Sequence, residues 1–254
     1  MLGAIIGDII GSRFETHNIK SKKFVLFIPK ISRITDDSVL TTAVADSILN
    51  NIHISDSLKK WSEKFPKVGY GYAFRAWIKQ DKKTPYYSFG NGSAMRVSSV
   101  GWLANSEEEV KELSKKVTEI THDHPEGLKG AEVTAMCVYY ARIGKDKKFI
   151  KKYVEQYYNL NLSYENLVRN YKFDVSCQGS VPQAIFCFLI SNDFEDCIRN
   201  SISIGGDSDT IAAISGAIAE AYYGIPNSIK SEAQKYIPND IKKVIKKFNK
   251  RVFK

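Results

Sequence analysis

The chain has 254 residues, enough to bury a substantial core, and its length predicts a single domain covering residues 1–254. No apolar run approaches the roughly 20 residues of a membrane-spanning helix, and the first residues lack the basic region of a signal peptide, so we expect a cytoplasmic protein. The four cysteines form no Cys-x-x-Cys pair and lie among apolar residues, which favours buried thiols over a zinc site or a disulfide framework.

The net charge of +9 is concentrated in one segment. Residues 241–254 contain seven Lys or Arg residues and no acid, and apolar residues recur there at helical spacing. This pattern predicts a basic amphipathic helix that docks by its apolar side and exposes its basic side. Contact of this helix with a nucleic acid or a membrane surface is the alternative. The remaining chain is close to neutral, so its charge does not indicate a polyanionic partner.

Residues 2–12 have the apolar periodicity of a helix. Gly3, Gly7 and Gly11 recur every four residues along it, and such a smooth ridge predicts a second helix that crosses close by. Asp8 lies inside this apolar segment and therefore needs either a hydrogen-bond partner or a metal-bound water.

Further helical segments separated by short turns make up most of the remaining chain. Residues 24–28 fit a short strand or an extended loop, and residues 67–92 form a long aromatic loop with one short helix at 73–78. We expect Ser55 to cap one helix, and Ser106 with Glu109 to form a capping box on another. The predicted helices after the first are 39–49, 55–65, 94–104, 106–121, 128–143, 147–158, 164–171, 178–190, 194–202, the run from the 204–210 motif to about 223, and 241–254. The chain is therefore predicted to be all-α: a compact orthogonal helical bundle with long functional loops and a metal-lined cleft.

Two segments combine paired carboxylates with a threonine hydroxyl at the start of an apolar helix. They are Thr35-Asp36-Asp37 and Asp207-Ser208-Asp209-Thr210. Each segment alone is typical of an N-cap with a solvated acid. Brought together by the fold, they supply enough oxygen ligands for two hard divalent cations. Oxygen ligands favour magnesium, manganese or calcium over zinc.

A glycine-rich motif spans residues 87–96. Its glycines and Asn91 permit unusual backbone angles, and consecutive amides with the hydroxyls of Ser88 and Ser93 can surround a phosphate. Phe89 offers a face on which a base can stack. The alternative is an ordinary Gly/Asn turn before a helix.

Two histidines, His122 and His124, lie in a predicted turn at residues 121–127. No cysteine or further histidine is close enough in sequence to complete a zinc site. We therefore expect one histidine to hydrogen-bond a ligand phosphate or hydroxyl and the other to be structural.

Taken in order, these motifs resemble those of the ADP-ribosylglycohydrolases, the enzymes related to dinitrogenase-reductase-activating glycohydrolase and the ADP-ribosyl-acceptor hydrolases. The matching segments are Gly7-Asp8, Phe14-Glu15, Thr35-Asp36-Asp37, Gly90 to Arg96, Thr121-His122 and Gly205 to Thr210. The resemblance covers residues 1 to about 224. One motif alone is weak, whereas the ordered set is specific. It implies an all-helical fold with a binuclear magnesium or manganese centre.

The resemblance also assigns individual positions. It implies that metal ligands are Thr35, Asp36, Asp37, Asp207, Asp209 and Thr210. It implies catalytic carboxylates at Glu15 and Asp36, with Glu15 gating the metals. It implies that the diphosphate loop is Ser88, Phe89, Gly90, Asn91, Gly92 and Ser93, with Phe89 on the adenosine side and His122 contacting the ligand. Arg13 departs from the family pattern, in which many members have a small residue or proline.

The function implied is hydrolysis of the glycosidic bond at the anomeric carbon of an ADP-ribosyl group. The alternatives are a non-catalytic ADP-ribose-binding module and a helical metal-dependent phosphohydrolase. The expected partner is an ADP-ribosylated protein or a small-molecule ADP-ribose conjugate, with a nucleic-acid acceptor less favoured. We expect a monomer. The sequence does not identify the acceptor linkage.

Overall fold

The computed structural model describes residues 1–253, in which the regular structure is helical. A single isolated β-bridge is present in this range, and no β-strand. The helices are α1 (Leu2–Gly11), α2 (Asp36–Asn50), α3 (Ile54–Lys64), α4 (Tyr72–Ile78), α5 (Ser98–Leu103), α6 (Glu107–Thr118), α7 (Pro125–Arg142), α8 (Lys147–Val154), α9 (Tyr164–Asn170), α10 (Cys177–Leu189), α11 (Phe194–Ser203), α12 (Ser208–Tyr223), α13 (Asn227–Ala233) and α14 (Asn239–Val252). A 3₁₀ turn at Asn91–Ser93 precedes α5. The expected all-α fold is confirmed.

Several helix ends differ from the sequence prediction. The proposed Ser55 cap is wrong, because α3 begins one residue earlier and the Ser55 hydroxyl contacts His53 Nδ1 at 2.7 Å instead. Helix α7 begins at Pro125 rather than 128, with His124 accepting a hydrogen bond from the Glu126 amide (3.1 Å) as its N-cap. Helix α13 was not predicted.

Two other segments also depart from expectation. In the capping box, Ser106 accepts from the Glu109 amide at 3.1 Å, but the Glu109 carboxylate accepts from the Asn105 amide instead of that of Ser106. Helix α5 is shorter than predicted, because residues 94–97 continue the turn after the glycine loop. Residues 24–28 form a loop, the second of the two forms expected.

The glycine ridge on α1 lies directly against α12. A Cβ on Gly7 would overlap the carbonyl oxygen of Ala212, and one on Gly11 would lie 2.5 Å from the Cα of Asp209. The prediction of a closely crossing helix is therefore confirmed. Because α12 also contacts α7, α10 and α11, it is the central helix of the bundle, and its first turn is held at a fixed distance from α1.

Helix α14 packs on α2 and α5 by its apolar side. The buried residues are Ile241, Val244, Ile245 and Phe248, while the lysines at 243, 246, 247 and 250 are exposed. This arrangement confirms the amphipathic docking expected from the sequence. Within residues 1–253, no helix has the length and apolar character needed to cross a bilayer.

Candidate metal centre and ligand cleft

A cleft of about 390 Å³ opens at the N-terminal ends of α2 and α12. Its walls bring together acids that are far apart in sequence, and Thr210 Oγ1 donates to Asp37 Oδ2 across the junction at 3.3 Å. The residues in its walls that the sequence analysis singled out are Glu15, Asp36, Asp37, Ser88, Gly90, Asn91, Gly92, His122, Asp207, Asp209 and Thr210. The two acidic motifs therefore share one cavity.

Asp8 supports the first turn of α2. Its carboxylate accepts hydrogen bonds from the Thr35 amide (2.9 Å) and hydroxyl (2.6 Å), and from the Ser38 amide (3.1 Å) and hydroxyl. The prediction that Asp8 needs hydrogen-bond partners in its apolar surroundings is therefore confirmed. Helix α1 thus fixes Thr35 and Ser38, the residues on either side of the α2 acids.

Two groups of carboxylates have the spacing of a metal site. Oxygens of Asp8, Asp37 and Asp209 lie within 4.8 Å of one another, as do oxygens of Glu15, Asp207 and Asp209. Asp209 belongs to both groups. Asp37 Oδ1 is buried without a hydrogen-bond partner among residues 1–253. An all-oxygen donor set with an unpaired buried carboxylate oxygen fits a hard divalent cation.

Asp36 lines the same cleft but belongs to neither close group. Its Oδ1 lies toward Gly69, 3.6 Å from where a Cβ would be built on that glycine. Asp36 therefore flanks the two groups at the cleft wall.

The carboxylates of the cleft disfavour one another's ionisation. Burial, followed by repulsion from Asp8, raises the pKa of Asp36 to about 7. Burial raises the pKa of Asp8 to about 6, against the opposing effect of its hydrogen bonds. Burial and neighbouring carboxylates raise the pKa values of Asp37 and Asp209 well above the ordinary range. A bound cation would compensate this concentrated negative charge.

Asn18 ties the backbone beside Glu15 to the glycine turn before α12. The Asn18 side chain donates to the Gly206 carbonyl (2.9 Å) and the Phe14 carbonyl (2.6 Å), and it accepts from the Gly206 amide (2.8 Å). Gly206 has φ of +75°, a left-handed conformation that suits glycine. Burial and nearby Asp207 raise the pKa of Glu15. Asn18 belongs to no motif, so no sequence pattern indicated it.

The glycine loop is held by the segment before α10. The Asn91 amide donates to the Val175 carbonyl at 2.7 Å, and the Cys177 amide donates to the Phe89 carbonyl at 2.9 Å. The Asn91 side chain donates to Asp207 Oδ2 at 2.7 Å and to Ser180 Oγ at 3.0 Å. Asn91 therefore links the loop to the acid cluster.

Two residues of the predicted ligand loop lie apart from the cleft wall. Ser93 is buried, and its hydroxyl donates to the Gly127 carbonyl at 2.8 Å, which holds the loop against α7. Phe89 is half exposed, with its ring 5.4 Å from that of His124 and outside the described wall. Ser88, Gly90 and Gly92 do line the cleft.

Aromatic and aliphatic residues complete the cleft, and most were missed from the sequence. Phe74 and Tyr86 come from the long loop at residues 67–92, which was expected to be functional because of its length. Phe173 and Val175 belong to no recognisable motif. His122 lines the cleft, while His124 caps α7 and is therefore the structural one of the two histidines.

A wider surface depression of about 790 Å³ lies beside Tyr157 and Leu160. Neither group of potential metal ligands found in residues 1–253 belongs to it. The chemistry of the acid-lined cleft is therefore the better guide to function.

The fold and cleft define an all-helical protein with acids at two helix N-termini beside a glycine loop. The family model described as ADP-ribosylglycohydrolase matches residues 1–254, and the chain belongs to this family. This match confirms the resemblance found in the sequence. The protein therefore belongs to the hydrolase class of enzymes.

Named relatives match over most of their length. The ADP-ribosylhydrolase ARH3 of Mus musculus is 26% identical over 95% of this chain and 88% of its own. The ADP-ribosyl-[dinitrogen reductase] glycohydrolase of Rhodospirillum rubrum is 24% identical over 96% and 92%. A solved structure titled ADP-ribosylglycohydrolase-related protein complex is similar in fold, with a TM-score of 0.73 at 21% identity over 99% of this chain and 95% of that one.

Proposed function

We propose that this protein releases ADP-ribose from an acceptor by hydrolysing the glycosidic bond at the anomeric carbon of the terminal ribose, with the help of two divalent cations. The observation that carries the proposal is a pair of three-carboxylate clusters at a cleft beside the glycine loop. Within each cluster, carboxylate oxygens lie within 4.8 Å of one another. Family membership and the names of the relatives support the ADP-ribose part of the substrate.

The proposed ligands of magnesium or manganese are Thr35, Asp36, Asp37, Asp207, Asp209 and Thr210. When bound, such cations orient vicinal hydroxyls and lower the pKa of a water. The protein supplies the fixed geometry: Asp8 holds Thr35, and Asn91 holds Asp207. We add Asp8 to the centre as the residue that orients the α2 ligands.

Glu15 is the proposed acid–base residue. Its carboxylate lies within 4.8 Å of Asp207 and Asp209, and its raised pKa suits proton exchange closer to neutral pH. Glu15 would orient or deprotonate the water, or pass a proton to the leaving group. Asp36, whose pKa is raised to about 7, is the second proposed catalytic carboxylate. The surrounding carboxylates would stabilise positive charge on an oxocarbenium-like transition state.

The glycine loop and His122 form the proposed diphosphate site. The contributing residues are Ser88, Phe89, Gly90, Asn91, Gly92, Ser93 and His122, with Phe89 on the adenosine side. Asn91 and Ser93 contribute through the shape of the loop, because their side chains bind Asp207 and the Gly127 carbonyl.

The decisive experiment incubates the protein with substrates ADP-ribosylated through arginine, serine, nucleic-acid and acetyl-ester linkages, with magnesium, with manganese and with a chelator. We expect intact ADP-ribose from at least one linkage, and only with metal present. Release of AMP would instead indicate a phosphohydrolase. Tight ADP-ribose binding without release from any substrate would indicate a binding module, and release unaffected by chelator would contradict the metal requirement.

A further inference from the structure

Arg96 is fully buried beside the glycine loop and has no role in the proposed mechanism. Its Nη2 donates to Thr121 Oγ1 at 2.8 Å and to the Val117 carbonyl at 3.2 Å. Its Nε and Nη1 have no hydrogen-bond partner in the part of the chain that the structure describes. Burial lowers the pKa of Arg96 to about 10, so the side chain is still a cation at neutral pH.

The Thr121 hydroxyl lies between Arg96 and His122. A guanidinium only donates hydrogen bonds, so Thr121 Oγ1 is the acceptor of the contact with Arg96. At hydrogen-bond distance the single hydroxyl proton then has two acceptors: His122 Nδ1 at 2.8 Å and the Thr118 carbonyl at 3.3 Å.

The Thr118 carbonyl is already occupied. It accepts hydrogen bonds from the backbone amides of Thr121 (3.1 Å) and His122 (2.9 Å). These use both lone pairs of the carbonyl oxygen. The shorter and unoccupied acceptor is therefore His122 Nδ1, which receives the hydroxyl proton.

This hydrogen bond decides where His122 carries its own proton. Burial, and then the neighbouring Arg96 cation, lower the pKa of His122 well below its usual value, so the ring is neutral at neutral pH. In a neutral imidazole one nitrogen accepts and the other donates. Since Nδ1 accepts from Thr121, Nε2 is the protonated nitrogen.

Nε2 faces the glycine loop. A Cβ built on Gly92 would lie 3.3 Å from this nitrogen, and one built on Gly90 would lie 3.7 Å from it. Both glycines and His122 line the cleft. A side chain at Gly92 would crowd the space into which Nε2–H is directed.

We propose that Arg96 and Thr121 are positioning residues that hold neutral His122 as the Nε2–H tautomer, so that it donates a hydrogen bond to an anionic oxygen of the ligand above Gly90 and Gly92. The identity of that oxygen as part of the ADP-ribose diphosphate rests on the proposed function, whereas the assignment of the His122 tautomer is independent of it. The hydrogen bond needs no proton exchange on binding, because its donor is set in advance.

Nitrogen NMR of the ¹⁵N-histidine-labelled, metal-free protein tests the tautomer, with His122→Gln used to assign the resonances. We expect wild-type His122 to have a protonated Nε2 and an unprotonated Nδ1 that accepts a hydrogen bond. Thr121→Val should move the Nδ1 resonance toward that of a nitrogen without a donor, while Thr121→Ser should restore it. A wild-type Nδ1–H tautomer, or identical Nδ1 resonances in wild type and Thr121→Val, would overturn the proposal.

Thr118 provides the matched control. Its hydroxyl is buried one helical turn away and has no hydrogen-bond partner within residues 1–253. Thr118→Val removes the same group at a similar site and should leave the His122 resonances unchanged. The wild-type spectrum decides the tautomer even if the Thr121→Val protein fails to fold.

Calorimetry with ADP-ribose and magnesium measures the consequence for binding. Loss of a preset hydrogen bond to a charged group predicts about tenfold weaker binding by Thr121→Val, with Thr121→Ser and Thr118→Val close to wild type. Equal affinities of wild type and folded Thr121→Val would overturn the positioning role. A wild type with the expected tautomer but no affinity for ADP-ribose would overturn the proposed function and leave the tautomer assignment intact.

Discussion

At the scale of single residues, Glu15 combines partial burial with proximity to two other carboxylates. Glu15→Gln keeps the shape of the side chain and removes its ability to exchange a proton. We expect turnover to fall by about 10²–10⁴-fold and ADP-ribose affinity to be retained. Single-turnover kinetics and calorimetry measure the two quantities. Thr16→Ala, at an exposed neighbour, is the control, and wild-type turnover by Glu15→Gln would remove Glu15 from the mechanism.

The acids also predict how stability depends on pH. The pKa values of Asp36 (about 7) and Asp8 (about 6) in the folded chain exceed the value of about 3.9 in an unfolded chain. The folded state then binds more protons than the unfolded state, so without metal the free energy of unfolding falls as pH rises from about 4 to about 7.

We expect bound divalent cations to replace these protons. Magnesium or manganese should therefore raise Tm more at about pH 7.5 than at about pH 5.5. Thermal unfolding with chelator and with metal measures the difference. Asp37→Asn should reduce the response, whereas Asp56→Asn, at an exposed acid on α3, should keep it. An equal metal effect at both pH values would contradict the charge argument.

Sequence patterns singled out the acids of α2 and α12 because paired carboxylates beside a threonine at the start of an apolar helix are recognisable from the sequence alone. A carboxylate in an apolar helix needs a hydrogen-bond partner or a metal-bound water. This requirement correctly predicted that the Asp8 carboxylate is hydrogen-bonded. The patterns did not indicate Asn18 or the roles of Arg96 and Thr121, since these depend on contacts between distant loops. They also did not indicate that the Ser93 hydroxyl binds the Gly127 carbonyl, because a loop sequence does not specify which groups of a neighbouring helix it will contact.

At the scale of helices, the α1–α12 contact sets the distance between the two acidic motifs. Gly7→Ala adds a methyl group where the Ala212 carbonyl already lies, so the helices must separate. We expect a loss of about 1–3 kcal/mol in the free energy of unfolding. Metal affinity should fall too, because the first turn of α12 carries Asp209. Chemical denaturation and metal titration check both effects.

Gly71→Ala is the matched glycine control. A Cβ at Gly71 would meet nothing within 4 Å, and its φ of −57° suits any residue. Its free energy of unfolding should stay within about 0.5 kcal/mol of wild type. Equal stability of Gly7→Ala and Gly71→Ala would show that α1 can move away from α12 at little cost.

Helix existence was predicted better than helix ends. The apolar period marked nearly every helix longer than seven residues, and the glycine ridge predicted the close crossing of α1. The ends depend on which polar group captures the first free amides, as His124 at the start of α7 illustrates. Helix α13 was missed because only Ile229 and Ala233 are buried in it, which leaves almost no apolar pattern to read.

At the scale of the whole molecule, α14 closes the core from outside. Phe248 is 2% exposed, so Phe248→Ala should lower the free energy of unfolding by about 3–5 kcal/mol. Lys246→Ala, on the exposed side of the same helix, should change it by less than about 0.5 kcal/mol. Urea denaturation compares the two variants. Equal effects would mean that the helix contributes no apolar packing.

The orientation of α14 bears on whether this helix contacts a membrane surface or a nucleic acid. Its apolar residues are covered by the body, so they are not free to enter a lipid surface. Its basic side remains open to solvent, as predicted, and binding of a polyanion there stays the alternative. The monomeric state and cytoplasmic location also stay predictions, and sedimentation analysis would measure the first.

The junction of α1, α2 and α12 has a consequence for biosynthesis. A growing polypeptide exposes Asp8 and Asp37 early, but it acquires Asp209 only after about 170 more residues have been added. Nascent chains that end before α12 should therefore fail to retain manganese, however well their earlier helices have formed. Ion capture would then mark the moment at which α12 has docked against α1 and α2.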